Sequence, residues 1–244
     1  MIVTKLVYGK KNPDYANLYI DNRFEASVLV ESVVSMSLKS GDEITEIDLR
    51  ALKSEAGWQK WIDKIINYIS VRPRSKKEIG DYIKNKLLKY KKLNIDTGLE
   101  FAENNDEQNE QTKSLGVANN GDLIESLINY LVERKYINDL DFAVWFIAQR
   151  LRGGNPKGLN YVKSELYSKG VTKSDIELAF EKTELDEGLN ETEALIKVFN
   201  KKIKKYKAET FDNKIQNKLI QYLMGKGFKY ADIKLKVDEY KHDI

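Results

Sequence analysis

Two residue types on which much protein chemistry depends are nearly missing from this chain. Among 244 residues, cysteine does not occur and histidine occurs once. Without cysteine, the chain has no disulfide framework, no thiolate metal site and no thiol nucleophile. The single histidine, His242, stands close to the last residue and has no second histidine or cysteine to act with. We interpret it as a surface residue, and we predict a protein without a metal site.

Long apolar runs and nucleotide-binding motifs are also missing. No stretch approaches about 18 apolar residues, and the N-terminus lacks the basic and then apolar pattern of a signal peptide. We therefore expect a cytoplasmic protein that contacts no membrane. There is no G-x-x-x-x-G-K-[ST] loop and no dinucleotide fingerprint, and the glycine-rich "RGGNPKG" at 152–158 follows a predicted helix, not a strand. We predict no enzyme activity and no cofactor.

The first 48 residues are typical of a small β-rich extension. The segments "IVTKLVY", "YANLYI" and "RFEASV" are rich in β-branched and aromatic residues, and "KKNPD" and "DNR" separate them as turns. This pattern predicts a short antiparallel meander, followed by a helix over 28–38. Three short strands are marginal alone, so we expect them to pack on a helix. Thr45 and Asp48 have the spacing of a capping box.

One phrase occurs three times in the rest of the chain. "YVKSELYSKGVTKSDI" at 161–176 aligns without a gap with "KLIQYLMGKGFKYADI" at 218–233, and "KKEIGDYIKNKLLKY" aligns with both. A helical pattern precedes and follows each phrase, so the repeated unit is three helices. The predicted fold is mainly α, with three tandem three-helix repeats forming a curved elongated body behind the N-terminal extension. The predicted repeats span 57–136, 137–184 and 189–244.

The aligned positions predict particular buried residues and turns. Leu166 and Leu223 occupy the same position and are predicted to be equivalent buried anchors. In the Lys-Gly pairs 169–170 and 226–227, glycine is predicted to end a helix in the left-handed conformation, and lysine in the last turn suits the helix dipole. The first repeat has Leu87 in place of this glycine, so its helix is predicted to continue into a basic tail.

A polar insertion interrupts the first repeat at about 93–121. It is rich in Asn, Gln, Glu and Gly and has few apolar residues after Phe101. Such a composition cannot bury enough surface to offset the entropy of ordering. We predict that 100–121 is mobile and dispensable for folding, and that a protease cuts there first.

Positive charge is concentrated in parts of the chain, although the net charge is only +3. Residues 49–92 carry 13 basic and 4 acidic side chains, whereas 93–122 carry 1 and 7. The basic stretches are "RPRSKK" at 72–77, "KNKLLKYKK" at 84–92 and "KVFNKKIKKYK" at 197–207. A solvated face explains any one of them, but three on a stacked repeat favour a face that binds nucleic acid or an acidic protein. The candidate residues for this face are Arg72, Arg74, Lys76, Lys77, Arg150, Arg152, Lys157, Lys201, Lys204 and Lys205, among which Arg74 and Lys157 occupy matching repeat positions.

Several segments together resemble the RecX family, bacterial regulators of the RecA recombinase. The likeness lies in "RPRS", in "YINDLDFA", in "GLNYVKSELYSKGV", in the closing "LMGKGF" and in an N-terminal piece that ends in "YIDNRF". It covers nearly the whole chain and implies a three-by-three helical repeat without a catalytic site. It also implies a protein that binds along the groove of the RecA filament and restrains its growth, ATP hydrolysis and strand exchange. We expect the chain to be a monomer. Single- and double-stranded DNA are further expected partners.

Two departures from the family pattern stand beside this resemblance. The insertion falls where the family usually has a short connection, and the missing glycine at Leu87 alters the adjacent corner. Two other functions stay open: a non-specific DNA-binding module that acts without RecA, and a helical scaffold for an unrelated partner. Binding to bare single-stranded DNA, bare duplex and a RecA-coated strand distinguishes the three.

Overall fold

A computed structural model describes residues 1–10, 12–93, 120–187, 190–206 and 211–242. They form a mainly helical protein with a small N-terminal β-sheet, which confirms the predicted class. The strands are β1 (Val3–Tyr8), β2 (Tyr15–Ile20) and β3 (Arg23–Leu29). The helices are α1 (Val30–Ser35), α2 (Glu46–Ser70), α3 (Lys76–Lys92), α4 (Asn120–Glu133), α5 (Asp139–Arg152), α6 (Leu159–Ser168), α7 (Lys173–Glu187), α8 (Glu191–Ile203), α9 (Asn213–Gly225) and α10 (Tyr230–His242).

The chain divides into two compact units. The first consists of Met1–Arg72 and Ile79–Glu133, and the second of Pro73–Glu78 and Arg134–Ile244. The first unit therefore contains the sheet and most of the first four helices, and the second contains α5 to α10. The division into three repeats and the curved elongated shape stay predictions.

The N-terminal sheet is the antiparallel meander that the sequence predicts, with strand order β1-β2-β3. Asp21 and Asn22 form the tight turn between β2 and β3 at positive φ (49° and 65°), which short polar side chains tolerate. The sheet shares an apolar core with α1 and the start of α2, as three short strands require. This core contains Val3, Leu18, Ile20, Val28, Val33, Ile44, Leu49 and Leu52.

A single long helix, α2, follows the sheet. It begins at the predicted capping box: Thr45 Oγ1 accepts a hydrogen bond from the Asp48 N–H at 3.1 Å, and Asp48 Oδ2 accepts one from the Thr45 N–H at 3.2 Å. The residues between the predicted extension and the predicted first repeat, 49–56, are helical. Because no proline interrupts them, α2 continues unbroken to Ser70.

Aromatic contacts join α2 to α3 and α4. The rings of Trp58 and Tyr130 meet edge to face at 5.9 Å between centroids, and those of Tyr68 and Tyr82 stack at 4.2 Å. Offset and edge-to-face pairs of this kind add to the stabilisation that burial provides. The buried residues on these three helices include Trp61, Ile62, Ile65, Ile79, Ile83, Leu87, Leu123, Leu127 and Leu131.

The helix of the first phrase continues past its Leu87, as predicted. Leu87 is buried, and α3 runs on through the basic tail to Lys92. The predicted insertion begins one residue later. Its positions 94–119 lie outside the described residues.

Helices α5 to α10 share one apolar core. It is built from side chains on the inner stripes of the helices, and Leu166 and Leu223 have no exposed surface within it. This confirms both as buried residues at aligned positions. The core also contains Phe142, Ala143, Phe146, Ile147, Leu151, Val162, Ile176, Leu195, Val198, Phe199, Leu219, Phe228, Ile233 and Val237.

The two Lys-Gly pairs end α6 and α9 with the same hydrogen bonds. Gly170 and Gly227 have φ values of 81° and 91°, the left-handed conformation that the sequence predicts. In α6, the Gly170 N–H donates to the Tyr167 carbonyl oxygen, and the Val171 N–H donates to the Leu166 carbonyl oxygen. The corresponding pair of bonds closes α9. This is the Schellman arrangement, which satisfies carbonyl groups left without helical partners.

The start of α3 and the start of α6 are held in the same way by a later helix end. Ser75 Oγ donates to the Lys169 carbonyl oxygen at 2.8 Å, and the Gly158 N–H donates to the Lys226 carbonyl oxygen at 2.9 Å. Ser75 and Gly158 precede equivalent helices, and the two lysines cap equivalent helices. This correspondence supports the alignment of the phrases.

A carboxylate also binds the first amide of each of these two helices. The Lys76 N–H donates to Asp139 Oδ1 and the Leu159 N–H donates to Glu191 Oε1, both at 2.8 Å. Asp139 and Glu191 are the first residues of α5 and α8. Desolvation by burial raises the pKa of both carboxyl groups, and this effect exceeds the opposite effect of the amide hydrogen bonds.

Candidate functional site

The predicted binding residues lie at three places along the chain. Arg72, Arg74, Lys76 and Lys77 lie between the end of α2 and the first turn of α3. Arg150, Arg152 and Lys157 lie at the end of α5 and in the loop that follows it. Lys201, Lys204 and Lys205 lie at the end of α8. In the structure, Lys201 of the third group contacts the loop that holds part of the second group.

Two lysines of α8 bind the backbone of the glycine-rich loop after α5. Lys197 Nζ donates to the carbonyl oxygens of Arg152 at 3.4 Å and Gly153 at 3.2 Å. One turn further along the helix, Lys201 Nζ donates to the carbonyl oxygen of Gly154 at 3.2 Å. A loop without secondary structure of its own is thereby held on a rigid helix, and cationic groups surround it.

A lysine at the end of α9 binds the same loop. Lys226 Nζ donates to the side-chain oxygen of Asn155 at 3.2 Å. The cationic residues of α5, the loop, α8 and α9 thus meet in one place. We call them the basic loop surface, which consists of Arg152, Lys157, Lys197, Lys201 and Lys226.

Aromatic rings lie beside the lysines of this region. The ammonium group of Lys157 is 4.1 Å from the centroid of the Tyr161 ring. Those of Lys202 and Lys226 are 4.4 Å and 5.4 Å from the centroid of the Tyr222 ring. Cation–π contacts of this kind fix the charged groups in position. Charges interleaved with aromatic rings also suit nucleic acid.

The hydrogen bonds within the basic loop surface do not neutralise it. The acceptors for Lys197, Lys201 and Lys226 are carbonyl and amide oxygens, which carry no net charge. Their positive charges therefore act outward on any partner. Such a concentration of one sign of charge attracts phosphates or carboxylates.

Arg150, another of the predicted residues, has a structural contact instead. Its Nε and Nη2 donate to the two carboxylate oxygens of Glu165 at 2.6 Å and 2.9 Å. Its guanidinium carbon lies 4.6 Å from the centroid of the Phe146 ring. This bidentate pair occupies the two donor groups with which arginine would bind the carboxylate or phosphate of a partner. Arg150 is therefore a weak candidate for contact with a partner.

The residues before and in the first turn of α3 have mixed environments. The Nε atom of Arg74 is buried, and Arg72 is half-buried. The Nζ of Lys77 donates to the Ser168 carbonyl oxygen at 2.7 Å, which fixes its ammonium group at the end of α6. Arg74 and Lys157 match in the sequence repeat, but only Lys157 lies in the basic loop surface.

Lys76, Lys204 and Lys205 are exposed. Lys204 is the C-cap residue of α8, one helical turn beyond Lys201. Lys204 and Lys205 thus follow Lys201 along the chain at the end of α8. A role for any of these three in binding stays a prediction.

The sequence reasoning missed two members of the basic loop surface, Lys197 and Lys226. Lys197 lies in a basic stretch that the sequence marks, four residues before Lys201, so both lie on the same face of α8. Lys226 belongs to a Lys-Gly pair that was interpreted only as a helix end. The matching Lys169 indicates that Lys226 lies at the end of a helix. Only the fold places Lys226 beside the loop.

The described residues contain neither a metal centre nor a membrane span. In them, no three His, Cys, Asp or Glu side chains are grouped so that they could hold a metal ion. None of the helices described is both long enough and apolar enough to cross a bilayer.

Comparison with known proteins gives a consistent result along the chain. A family profile described as "Regulatory protein RecX N-terminal domain" matches residues 1–45, and one described as "RecX, third three-helix domain" matches residues 190–235. "Regulatory protein RecX" of Clostridioides difficile (strain 630) is 29% identical over 245 residues, which covers 98% of each chain. The protein of the same name from Clostridium tetani (strain Massachusetts / E88) is 29% identical over 95% of this chain and 91% of its own.

A solved structure shares the fold. "Crystal structure of regulatory protein RecX" superimposes with a TM-score of 0.62 and covers 97% of this chain and 98% of its own. Its sequence identity is 19%, so the likeness concerns the fold.

Proposed function

Because this chain belongs to the RecX family, we propose that it binds the RecA filament and restrains its ATP hydrolysis, its growth and strand exchange. The observation that carries the proposal is the likeness to a protein named regulatory protein RecX over 98% of both chains. A likeness from end to end includes the N-terminal sheet and all the helices that position the basic loop surface. It therefore concerns the whole arrangement and not one helical segment.

The basic loop surface is the part of the chain that we assign to the filament. Its charges are held on α5, α8, α9 and a loop tied to α8, so little freedom is lost when a partner binds. They suit carboxylates on RecA or phosphates of the strand within the filament. A protein bound across neighbouring protomers opposes the movements between them that turnover requires. This accounts for restraint without a catalytic site.

A double charge reversal tests the proposal. Arg152→Glu with Lys201→Glu replaces two positive charges of the basic loop surface by negative ones. We expect the concentration that gives half-maximal restraint of RecA ATPase on single-stranded DNA to rise by about tenfold or more, because like charges now face each other across the interface. The measurement is a steady-state ATPase titration.

The matched control is Lys182→Glu with Lys234→Glu. It changes the net charge by the same amount, but its two exposed lysines lie on α7 and α10, outside the basic loop surface. We expect restraint at wild-type concentrations. If both double variants unfold at the wild-type temperature and restrain the ATPase equally well, the assignment of this surface is wrong.

A second candidate function is DNA binding without RecA, which the pairing of lysines with Tyr161 and Tyr222 favours. The two functions separate when binding is compared on bare single-stranded DNA, bare duplex and a RecA-coated strand. Restraint of RecA predicts preferential binding to the coated strand. Equal affinity for bare and coated DNA would favour the second candidate.

A further inference from the structure

A groove in the first unit is lined by lysines, tyrosines and asparagines. It lies between the β1–β2 hairpin and the middle of α2 and has a volume of about 710 Å³. We call it the hairpin groove. The residues most important below are Tyr8, Lys10, Tyr15, Lys60, Lys64 and Asn67.

Positive charge predominates in the hairpin groove. Among the described residues, three lysines line it, against one carboxylate, that of Asp63. Both carboxylate oxygens of Asp63 are engaged: one accepts from the Tyr15 hydroxyl at 3.2 Å and the other from Gln59 Nε2 at 2.8 Å. Burial and the nearby Asp63 raise the pKa of Tyr15, so its hydroxyl stays protonated and donates. The acid therefore orients the wall of the groove. The Lys60 ammonium group donates to the uncharged Ser27 carbonyl oxygen at 3.3 Å, so it keeps its positive charge at this wall.

The groove is lined by one exposed aromatic ring and one buried ring. Tyr8, at the end of β1, leaves 59% of its surface exposed. Tyr15 is buried, and the Lys60 ammonium group lies 5.6 Å from the centroid of its ring. The Lys64 ammonium group is 4.9 Å from the centroid of Tyr90 on α3, which carries the basic tail. An exposed ring beside fixed cations is the arrangement on which an unpaired base stacks while its phosphates are neutralised.

Gly9, the residue after Tyr8, is held against the start of β2. The Gly9 N–H donates to the Tyr15 carbonyl oxygen at 2.8 Å, and a Cβ atom on Gly9 would lie 2.5 Å from the Asn12 carbonyl oxygen. Asn17 and Asn67 complete the lining with amide groups, which can both donate to and accept from base edges. Such groups favour a specific ligand over diffuse attraction.

We propose that the hairpin groove binds a single strand of nucleic acid, with phosphates at Lys10, Lys60 and Lys64 and a base on the ring of Tyr8. An acidic peptide would satisfy the lysines but has no counterpart for the exposed ring and the amides. A duplex keeps its bases stacked on each other, so it offers no face to Tyr8. This site needs no RecA and is separate from the basic loop surface, so either assignment can fail without the other.

Fluorescence anisotropy of labelled strands tests the site with the full-length chain. The probes are oligothymidylate and oligouridylate of about 20 nucleotides, a duplex of equal length and a labelled polyglutamate peptide. We expect the wild type to bind the single strands more tightly than the duplex. The two single strands distinguish DNA from RNA. Tighter binding of the peptide than of either strand overturns the proposal.

Variants at Tyr8 isolate stacking. Tyr8→Ala is expected to weaken binding of the single strand by about fivefold or more, whereas Tyr8→Phe keeps the ring and stays within about twofold of the wild type. The matched control is Tyr230→Ala on α10, whose ring is 54% exposed. It is expected to bind as the wild type does. Equal affinity of Tyr8→Ala and the wild type overturns the proposal.

A double variant isolates the phosphate contacts. Lys60→Gln with Lys64→Gln is expected to reduce the slope of log affinity against log salt by about 1.4, because each lost contact with a single strand accounts for about 0.7. Lys182→Gln with Lys234→Gln removes the same charge elsewhere and is expected to leave the slope unchanged. Equal slopes for the two double variants contradict the site.

Photocrosslinking of the wild type gives a direct result that does not depend on how the variants fold. With 5-iododeoxyuridine in the strand, we expect mass spectrometry to find the adduct on the peptide that contains Tyr8. Adducts confined to peptides outside the hairpin groove overturn the assignment.

Discussion

Leu166 and Leu223 lie at aligned positions of α6 and α9, and neither has exposed surface. We expect Leu→Ala at either position to lower the free energy of unfolding by about 2–5 kcal/mol, because the core loses contacts and retains part of the cavity. Urea unfolding measures the change. Leu235→Ala on α10 is the control, since Leu235 is 64% exposed, and it is expected to cost within about 0.5 kcal/mol. Equal costs for buried and exposed leucines would contradict the core.

Replacing Gly227, after the end of α9, would lower stability in two ways, by backbone strain and by steric overlap, and the two can be separated. Gly227 has a φ of 91°, and a Cβ atom there would collide with the Tyr161 backbone. Gly41 has a φ of 99° but nothing within 4 Å of such a Cβ atom. We expect Gly41→Ala to cost about 1 kcal/mol from backbone strain alone and Gly227→Ala to cost clearly more. Thermal unfolding of the two variants is the measurement, and equal losses would refute the steric part.

Among the helices, the amides at the starts of α3 and α6 are bound by carboxylates at the starts of α5 and α8. Helix N-termini leave amide groups without helical partners, and a carboxylate is a favourable acceptor there. Asp139 and Glu191 perform this role at the cost of partial desolvation. The same bond joins α3 to α5 and α6 to α8, as expected if these two pairs of helices are equivalent in the repeat.

The contribution of Asp139 and Glu191 to folding stability depends on pH. The pKa values of Asp139 and Glu191 are raised in the folded state above 3.8 and 4.5, so the folded state binds these protons more tightly than the unfolded state. Their contribution to stability is complete below those values and is lost as the pH rises through the folded pKa. In Asp139→Asn with Glu191→Gln, this loss is absent. We expect the stability of the variant relative to the wild type to rise between about pH 4 and pH 7.

Glu46→Gln is the control of opposite sign for this experiment. The hydrogen bond and charge of Arg50 lower the pKa of Glu46, so its contribution is present at higher pH and is lost as the pH falls through the folded pKa. Relative to the wild type, this variant is expected to lose stability as the pH rises. Urea unfolding at a series of pH values measures both trends, and parallel trends for the two variants would contradict the assignment.

At the scale of the whole molecule, the two proposed surfaces lie in different compact units. The hairpin groove belongs to the first unit and the basic loop surface to the second. We therefore expect changes at one surface to act independently of changes at the other.

Independent surfaces predict a separation of effects. Tyr8→Ala is expected to weaken binding of a bare single strand and to leave the restraint of RecA ATPase unchanged, whereas Arg152→Glu with Lys201→Glu is expected to do the reverse. The combined variant should show both losses at their individual sizes, within about 0.5 kcal/mol. Anisotropy and ATPase titrations on the same preparations measure this. A loss of both activities from either change alone would show that the surfaces act together.

The features fixed by local chemistry could be predicted from the sequence. The meander, the capping box at Thr45, the buried leucines and the left-handed glycines at 170 and 227 depend on side-chain alternation, helical periodicity and backbone sterics, which a sequence displays directly. The capping box predicts a helix that begins near Thr45, but the predicted bounds leave 49–56 in neither the extension nor the first repeat, whereas the structure includes them in α2. Its continuity comes from packing of Leu49 and Leu52 under the sheet.

The contacts between distant segments were decided only by the tertiary structure. The sequence by itself determined a helical class, a repeated phrase and an uneven distribution of charge. It did not determine that Arg150 is paired with Glu165, that Lys197 and Lys226 bind the loop after α5, or that Lys60 and Lys64 line a groove with Tyr8. Long cationic side chains reach several ångströms from their helices, so their partners depend on which segments the fold brings within a few ångströms of them.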